Sequence, residues 1–296
     1  MFISEEVRTR KKPFWLKVSL PSNQNFFFVQ DVLKKHKLNT ICRSARCPNI
    51  AQCWDRKTAT FLILGDTCTR GCTFCAVKKG MPWPPSSQEP DQVAEAVALL
   101  DLEYAVITSV TRDDLPDGGA LHFAQTIRAI KKRRPETKVE VLMPDFQGDE
   151  QALDRVLEAR PDIVNHNLET VEALYPQINR LRKNYQRSLR VLHRLKRKGA
   201  ITKSGLMVGL GEKEEEILRT FSDLRSVSCD LLTIGQYLQP TKESAPVRKY
   251  YTPEEFHQLK RKALHLGFQD VASGPLVRSS FEAHKLFKTL EKMKEN

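Results

Sequence analysis

Short runs of aliphatic and β-branched residues alternate with longer amphipathic stretches along the chain from residue 60 onward. This alternation is typical of parallel strands that are connected by covering helices. The predicted strands lie at residues 60–64, 104–108, 138–142, 162–166, 205–208 and 231–234. The predicted helices lie at residues 91–100, 119–132, 150–159, 185–198, 214–226 and 253–266. The pattern therefore predicts an α/β fold made of strand–helix units.

A polar or glycine-rich loop follows each predicted strand. These loops lie at residues 65–75, 110–119, 143–145, 165–169, 209–212 and 235–241. In a β/α barrel the loops that leave the carboxyl ends of the strands share one face and carry the active site. Because a closed barrel of this kind has eight units, the units found here predict a partial (β/α)6 barrel.

The barrel is predicted to span residues 60–266. Residues 1–59 then form an N-terminal extension, and residues 267–296 form a C-terminal extension. Neither extension is long enough to build a core by itself. We therefore expect both to be parts of the barrel unit rather than independent domains.

Composition and charge indicate the class of protein and its compartment, but they do not identify its partner. The 296 residues are 40% hydrophobic and 28% charged, as in folded globular proteins. No stretch approaches the roughly 20 apolar residues that span a bilayer, so we expect a cytoplasmic chain without a membrane partner. The net charge of +12 suits either a nucleic acid or an acidic protein. Basic runs at residues 131–134 and 194–198 fall in or at the ends of predicted helices, where solvated faces are common.

The spacing of the cysteines indicates the chemistry of the protein. Six of the seven fall in two triplets. They are Cys42, Cys47 and Cys53, spaced as CX4CX5C, and Cys68, Cys72 and Cys75, spaced as CX3CX2C. In a reducing compartment close-set cysteines bind metals or do redox chemistry more often than they form disulfides. Cys229 stands alone and is interpreted as a buried apolar residue.

Triplets of thiolates suit zinc or an iron–sulfur cluster. A structural zinc site takes four ligands, usually as two close pairs, whereas each triplet offers three and includes no histidine. Three thiolates on a four-iron cluster leave one iron open to another ligand. The spacing favours clusters, and a loop held by zinc is the alternative.

Residues 65–75, with Phe74 as the aromatic, resemble the CX3CXΦC motif of the radical S-adenosylmethionine (SAM) superfamily. The resemblance implies that the open iron of a [4Fe-4S] cluster chelates the amino and carboxylate groups of SAM. One electron then cleaves the sulfonium and gives a 5′-deoxyadenosyl radical. The protein has to position that radical and exclude water.

Further segments, which cover residues 13–281, resemble the lipoyl synthase family. They are residues 45–50, 65–75, 108–114, 166–170, 204–212, 236–241 and 274–280. The CX4CX5C triplet ahead of the barrel is the family's most diagnostic feature. The resemblance implies a second, auxiliary [4Fe-4S] cluster, which is consumed as the sulfur source for carbons 6 and 8 of an octanoyl chain. Two SAM molecules are cleaved per product.

The same resemblance assigns roles to individual residues. Auxiliary-cluster ligands would be Cys42, Cys47, Cys53 and Ser280, with Ser279 as the alternative serine. The SAM-cluster ligands would be Cys68, Cys72 and Cys75, and the SAM contacts Asn167, Glu169 and Arg180. His166 is expected to be a structural histidine. Two departures from the family pattern, Phe281 for tyrosine and Arg43-Ser44 for acidic residues, touch no implied ligand.

The implied protein partners are octanoylated lipoyl-carrier domains, namely E2 subunits of dehydrogenase complexes and the H protein of glycine cleavage. An electron donor such as flavodoxin or ferredoxin and a cluster-repair protein are also implied. The alternative enzyme is a tRNA-modifying radical SAM enzyme that inserts sulfur, which the +12 charge favours. The absence of a recognisable RNA-binding module argues against it and against a nucleic-acid partner. A non-enzymatic binding module or cluster scaffold would have no use for six polar loops at the strand ends.

Overall fold

One large sheet organises the chain. The computed structural model describes residues 12–18 and 20–295, so residues 1–11 and 19 of the predicted N-terminal extension, and residue 296, lie outside it. The strands are β1 (Asn39–Thr40), β2 (Thr60–Ile63), β3 (Thr67–Cys68), β4 (Lys78–Lys79), β5 (Tyr104–Ser109), β6 (Lys138–Leu142), β7 (Ile163–Asn165), β8 (Thr202–Val208), β9 (Leu231–Gln236) and β10 (Asp270–Gly274). Eight of them form the main sheet in the order β1-β2-β5-β6-β7-β8-β9-β10, and β3 pairs with β4 separately.

The main sheet is parallel except at one edge. Strand β1 runs antiparallel to β2, and every other neighbouring pair is parallel. Within the described residues the order has two ends, β1 and β10, so the sheet is open. Because parallel strands end at the same edge, the loops after β2, β5, β6, β7 and β9 meet on one face of the molecule.

Helices cover the sheet and precede it. They are α1 (Gln24–Lys35), α2 (Ile41–Ser44), α3 (Ile50–Asp55), α4 (Glu89–Leu99), α5 (Ala120–Arg133), α6 (Glu150–Glu158), α7 (Lys183–Arg197), α8 (Glu214–Ser226), α9 (Pro253–His265) and α10 (Ala283–Glu295). Each long covering helix buries one apolar stripe; in α7 this stripe includes Leu189, Leu192 and Leu195. None of the described helices is long and apolar enough to cross a membrane.

The α/β fold predicted from the alternating pattern is confirmed, and each of the six predicted strands has a counterpart. The structure adds four strands that the pattern did not predict, namely the short strands β1, β3 and β4 and the longer strand β10. Strand β10 pairs in parallel with β9, from Asp270 beside Leu231 to Gly274 beside Gly235. Only Val271 of β10 is buried, so its sequence lacks the apolar run by which the other strands are recognised. The limits of the three predicted regions stay a prediction.

The interior of the sheet holds a buried ion pair. Lys203 of β8 donates to Glu140 of β6 over 2.9 Å, and both side chains are fully buried. Tyr104 also donates to Glu140, over 2.6 Å; burial, together with that carboxylate, raises the tyrosine pKa far above its ordinary value. Burying opposite charges is costly unless the two groups are paired with each other and hydrogen bonded. The pair therefore ties β6 to β8 across the shorter β7.

Candidate active site

A cavity of about 470 Å³ opens at the carboxyl ends of the parallel strands. Its walls include residues from five of the six predicted loops. Among the predicted site residues, Cys47, Cys68, Cys72, Cys75, Asn167, Glu169, Arg180, Ser279 and Ser280 line it. The loop at residues 209–212 does not line it, contrary to prediction, because the Glu212 carboxylate accepts hydrogen bonds from the Gly209 and Leu210 amides and folds that loop onto itself.

The CX3CX2C segment is fixed by backbone contacts with the loop after β5. The Thr69 amide donates to the Thr111 carbonyl over 3.1 Å. The Thr111 amide in turn donates to Cys68 Sγ over 3.4 Å, as does the Arg70 amide. These contacts fix the Cys68 side chain within the loop.

The other thiols of this segment are close enough to affect one another. Burial raises the pKa of Cys75 to about 11, and charges on Cys72 and Cys68 add to the rise. Positive charge has the opposite effect, since a bound cation deprotonates its thiol ligands. A partly buried set of mutually repelling thiolates suits a cationic iron centre.

Arg180 lies against this set. Its Nε donates to Cys72 Sγ over 3.3 Å, and its guanidinium lies 5.6 Å from the centre of the Phe74 ring. Glu169 lines the same cavity; burial raises its pKa, and Arg180 partly offsets the rise. The backbone φ of Glu169 is +72°, a left-handed conformation that costs free energy at a residue other than glycine. The structure brings these two side chains together at the cysteine cluster.

A charge network that the sequence analysis missed supports the same loop. Arg70 pairs with Asp113 over 2.7 Å and with Asp145 over 2.5 Å. Asp145 is 3% exposed and also accepts from Arg187. Burial alone would raise the pKa of Asp145, but the Arg70 guanidinium holds it well below its ordinary value. The sequence did contain a signal for this network, because Arg70 lies within the CX3CX2C motif and Asp145 lies in one of the loops predicted to form the active face.

His166 is hydrogen bonded through both ring nitrogens. Nδ1 donates to the Met143 carbonyl over 2.9 Å, and Nε2 accepts from the Ser188 hydroxyl over 2.9 Å. Burial lowers its pKa below the ordinary value. A neutral, fully bonded ring of this kind matches the structural role that was predicted for it.

The CX4CX5C triplet is held by two short helices ahead of the sheet. Cys42 lies in α2, Cys53 in α3, and the Cys47 amide between them donates to the Cys42 carbonyl over 2.9 Å. Burial raises the pKa of Cys42 to about 11 and that of Cys53 to about 12, and charge on Cys47 adds to both. These thiols too lie within electrostatic reach of one another. Among the described residues, no three His, Cys, Asp or Glu side chains are grouped so as to hold a single metal ion.

The segment after β10 connects the CX4CX5C region with the loop after β7. Asn49 donates to the Leu276 carbonyl over 2.7 Å, which ties this segment to the CX4CX5C region. The Ser279 hydroxyl donates to Asn167 Oδ1 over 3.1 Å. Ser280 lines the active-face cavity with Cys47, and it also lines a second cavity, of about 730 Å³, with Cys53. The two serines therefore differ in their surroundings: Ser279 is hydrogen bonded to the loop after β7, whereas Ser280 shares one cavity with Cys47 and another with Cys53.

Close packing against β9 places these serines. A Cβ atom added to Gly235 would lie 2.1 Å from the Val277 carbonyl oxygen, which is closer than any real contact. At Gly274, the β10 partner of Gly235, an added Cβ would meet only a Val277 methyl group, at 3.3 Å. The segment thus needs a glycine at 235 and can tolerate alanine at 274.

We expect Gly235→Ala to lower the free energy of unfolding by about 1–3 kcal/mol, the usual cost of overpacking. It should also displace Ser280 from the cavity wall, because Ser280 would move with this segment. Gly274→Ala is the matched control and should cost less than about 1 kcal/mol. Anaerobic urea unfolding of both variants measures the difference, and equal losses would contradict this account of the packing.

Comparison with known proteins places this geometry in a family. The Radical SAM superfamily matches residues 62–224. The lipoyl synthase of Caldicellulosiruptor bescii is 52% identical over 96% of this chain and 98% of its own length. That of Alkaliphilus metalliredigens is 50% identical over 96% and 99%. The chain belongs to the lipoyl synthase family.

Its function is that of a lipoyl synthase, a radical SAM enzyme that inserts sulfur. The superfamily implies SAM and a [4Fe-4S] cluster, and lipoyl synthases act on lipoyl-carrier proteins. The fold agrees: a crystal structure of methylornithine synthase superposes with a TM-score of 0.54 over 88% of this chain and 85% of that one, at 11% identity. The nearly full-length match to lipoyl synthases sets aside the tRNA-modifying alternative.

Proposed function

We propose that the chain inserts two sulfur atoms, at carbons 6 and 8, into an octanoyl group on a carrier lysine, with SAM and two [4Fe-4S] clusters as cofactors. One observation carries the proposal. Cys47 and Ser280 of the auxiliary set line the same cavity as Cys68, Cys72 and Cys75. A chain held in that cavity would contact both the radical source and the sulfur source without moving between sites.

The donor sets fit the two clusters. Each triplet offers three buried or partly buried thiols that lie within electrostatic reach of one another, and thiolates are the usual ligands of cluster iron. Ser280 supplies an oxygen, and this residue lines one cavity with Cys47 and another with Cys53. Oxygen is a harder and weaker partner for this iron than sulfur, so the iron bound there is the one most easily released. When bound, the clusters and SAM supply the electron, the hydrogen-abstracting radical and the sulfur.

The protein's own part is to bind and orient. Cys68, Cys72 and Cys75 would hold the first cluster and leave one iron for SAM. Arg180, already beside Cys72, is suited to the SAM carboxylate through charge-assisted hydrogen bonds, and Glu169 to the ribose hydroxyls. Asn167 accepts a hydrogen bond from Ser279. This contact would hold the loop after β7, which also carries Glu169.

The acyl chain would lie along the apolar part of the cavity. Met143, Leu206 and Tyr237 line it and are nearly fully buried. Tyr237 is held by its hydroxyl, which donates to the Ala245 carbonyl over 2.6 Å. Apolar walls with a few polar anchors are the usual form of a small-molecule site, and they keep water from a reactive intermediate.

The proposed partners are proteins of the cytoplasm. The carrier domains are E2 subunits and the H protein, whose acidic surfaces would meet the basic surface of this chain, which has a net charge of +12. A flavodoxin or ferredoxin would supply electrons, and a cluster-repair protein would restore the auxiliary cluster. No nucleic acid or membrane takes part in this scheme.

The test is anaerobic incubation of the reconstituted enzyme with SAM, dithionite and an octanoyl-lysine peptide, followed by mass analysis. We expect a gain of two sulfur atoms and about eight irons per chain, four for each cluster. An iron content that saturates near four, or stoichiometric zinc, would contradict the two-cluster scheme. If bulk tRNA but not an octanoylated carrier were thiolated under identical conditions, the proposed substrate would be wrong.

A further inference from the structure

The segment that follows the CX3CX2C loop, beginning with β4, lies directly beside the start of that loop. Strand β4 pairs in parallel with β3, with Lys78 beside Thr67 and Lys79 beside Cys68. The Gly80 amide donates to the Cys68 carbonyl over 3.1 Å. Neighbouring strands lie about 4.8 Å apart, so the Lys79 backbone is one strand from a proposed ligand of the first cluster.

This surface combines charge with exposed apolar area. Lys78 and Lys79 are exposed, and within the described residues neither forms an ion pair. Met81 is 83% exposed and Trp83 is 84% exposed. Pro82 between them is buried, which anchors the segment and holds the tryptophan outward. We name these four exposed residues, Lys78, Lys79, Met81 and Trp83, the β4 patch.

Such a surface is suited to another protein. Scattered exposed apolar residues are ordinary, but tryptophan and methionine are enriched in protein interfaces, and tryptophan is frequent among the residues that dominate binding. Proline at positions 82, 84 and 85 restricts the backbone around Trp83. Less conformational entropy is then lost on docking.

The β4 patch lies outside the substrate cavity. None of residues 78–85 lines that cavity, whereas Cys68 does. The carrier's lysine arm has to enter through the cavity, so the patch is not on its route. It is, however, a short path from solvent to Cys68, and electron transfer between proteins depends steeply on distance.

We propose that the β4 patch docks an acidic one-electron carrier protein that reduces the cluster at Cys68, Cys72 and Cys75. This inference rests on the proposed function and names a partner's site on the chain. Two lysines favour an acidic partner, and Trp83 supplies the apolar contact. For a flavin carrier, the anionic hydroquinone loses one electron to the cluster and becomes the neutral semiquinone, so no proton has to move.

Two reductants distinguish an effect on the docking of the electron donor from an effect on SAM cleavage. Reduced flavodoxin is the protein donor, and dithionite is the small donor that needs no docking. The variants are Lys78→Ala/Lys79→Ala and Trp83→Ala, and the matched control removes two adjacent exposed lysines of α1, Lys34→Ala/Lys35→Ala. Formation of 5′-deoxyadenosine gives the rate, and titration with oxidised flavodoxin gives the Kd without turnover.

We expect the patch variants to raise the KM and the Kd for flavodoxin about tenfold at low salt, with the lysine effect shrinking as salt screens the charges. With dithionite they should match the unmodified enzyme, and the control should match it with both donors. Unchanged flavodoxin KM and Kd in both patch variants would overturn the proposal. So would a raised KM for octanoylated carrier under dithionite, which would assign the patch to the carrier. Failure of the unmodified enzyme with dithionite would instead count against the proposed function, while the Kd comparison would still test the patch.

Discussion

Alanine at Cys68, Cys72 or Cys75 is expected to abolish the formation of 5′-deoxyadenosine. The electron reaches the SAM sulfonium only through the cluster that chelates it, and three thiolates are already the minimum for that cluster. In the Cys68 variant, the Thr111 and Arg70 amides would also lose their hydrogen-bond acceptor. Chromatography of the nucleoside product after anaerobic incubation with dithionite measures the loss.

Alanine at Cys42, Cys47 or Cys53 is expected to act differently. Some 5′-deoxyadenosine should still form, because these residues belong to the other triplet, but no thiolated peptide should appear. Iron content should fall to about four per chain in either group of variants. Circular dichroism of each variant controls for folding. If both triplets gave the same phenotype in folded protein, the division of roles would be wrong.

Ser280→Ala is expected to spare SAM cleavage and to reduce sulfur insertion at least tenfold. The reason lies in where the side chain is placed, since Ser280 lines cavities with Cys47 and with Cys53. Ser279 instead donates to Asn167. Ser279→Ala should therefore weaken SAM binding, seen as a raised KM for SAM, and leave the auxiliary cluster intact.

Ser280→Cys is the matched variant, because it replaces the proposed oxygen ligand with a sulfur ligand. A thiolate at this position should keep the iron content near eight per chain, as two clusters require, while product formation slows, because a sulfur-ligated iron is released less easily than an oxygen-ligated one. Iron analysis and quantitation of product separate the two effects. Full turnover in Ser280→Ala together with lost sulfur insertion in Ser279→Ala would transfer the role to Ser279.

The arrangement gives a physical reason for the family's extensions. A radical has to form close to the sulfur that traps the resulting carbon radical, or side reactions compete. Asn49 binds the Leu276 carbonyl, and Arg56 pairs with Glu282 over 2.6 Å. The N-terminal cysteines and the C-terminal serine are thus fastened to each other at the edge of the cavity.

Local pattern was enough to predict much of this protein. Strands β2, β5, β6, β7, β8 and β9 carry apolar runs bounded by turn residues, so each is visible in a short window of sequence. The cysteine triplets are equally local, since their ligand spacing lies within residues 42–53 and 68–75. Fold class, cofactor chemistry and family resemblance followed from these signals.

Tertiary structure decided what depends on residues far apart in the chain. The polar sequence of β10 becomes a strand only because β9 offers an open edge for its backbone hydrogen bonds. Lys203 and Glu140 are ordinary surface residues by composition, and only the pairing of β6, β7 and β8 buries them together. The position of Ser279 and Ser280 depends on the close packing of Val277 against Gly235, 42 positions earlier in the chain. Sequence motifs name ligand types, but the direction of a side chain depends on packing, and packing is a property of the folded chain.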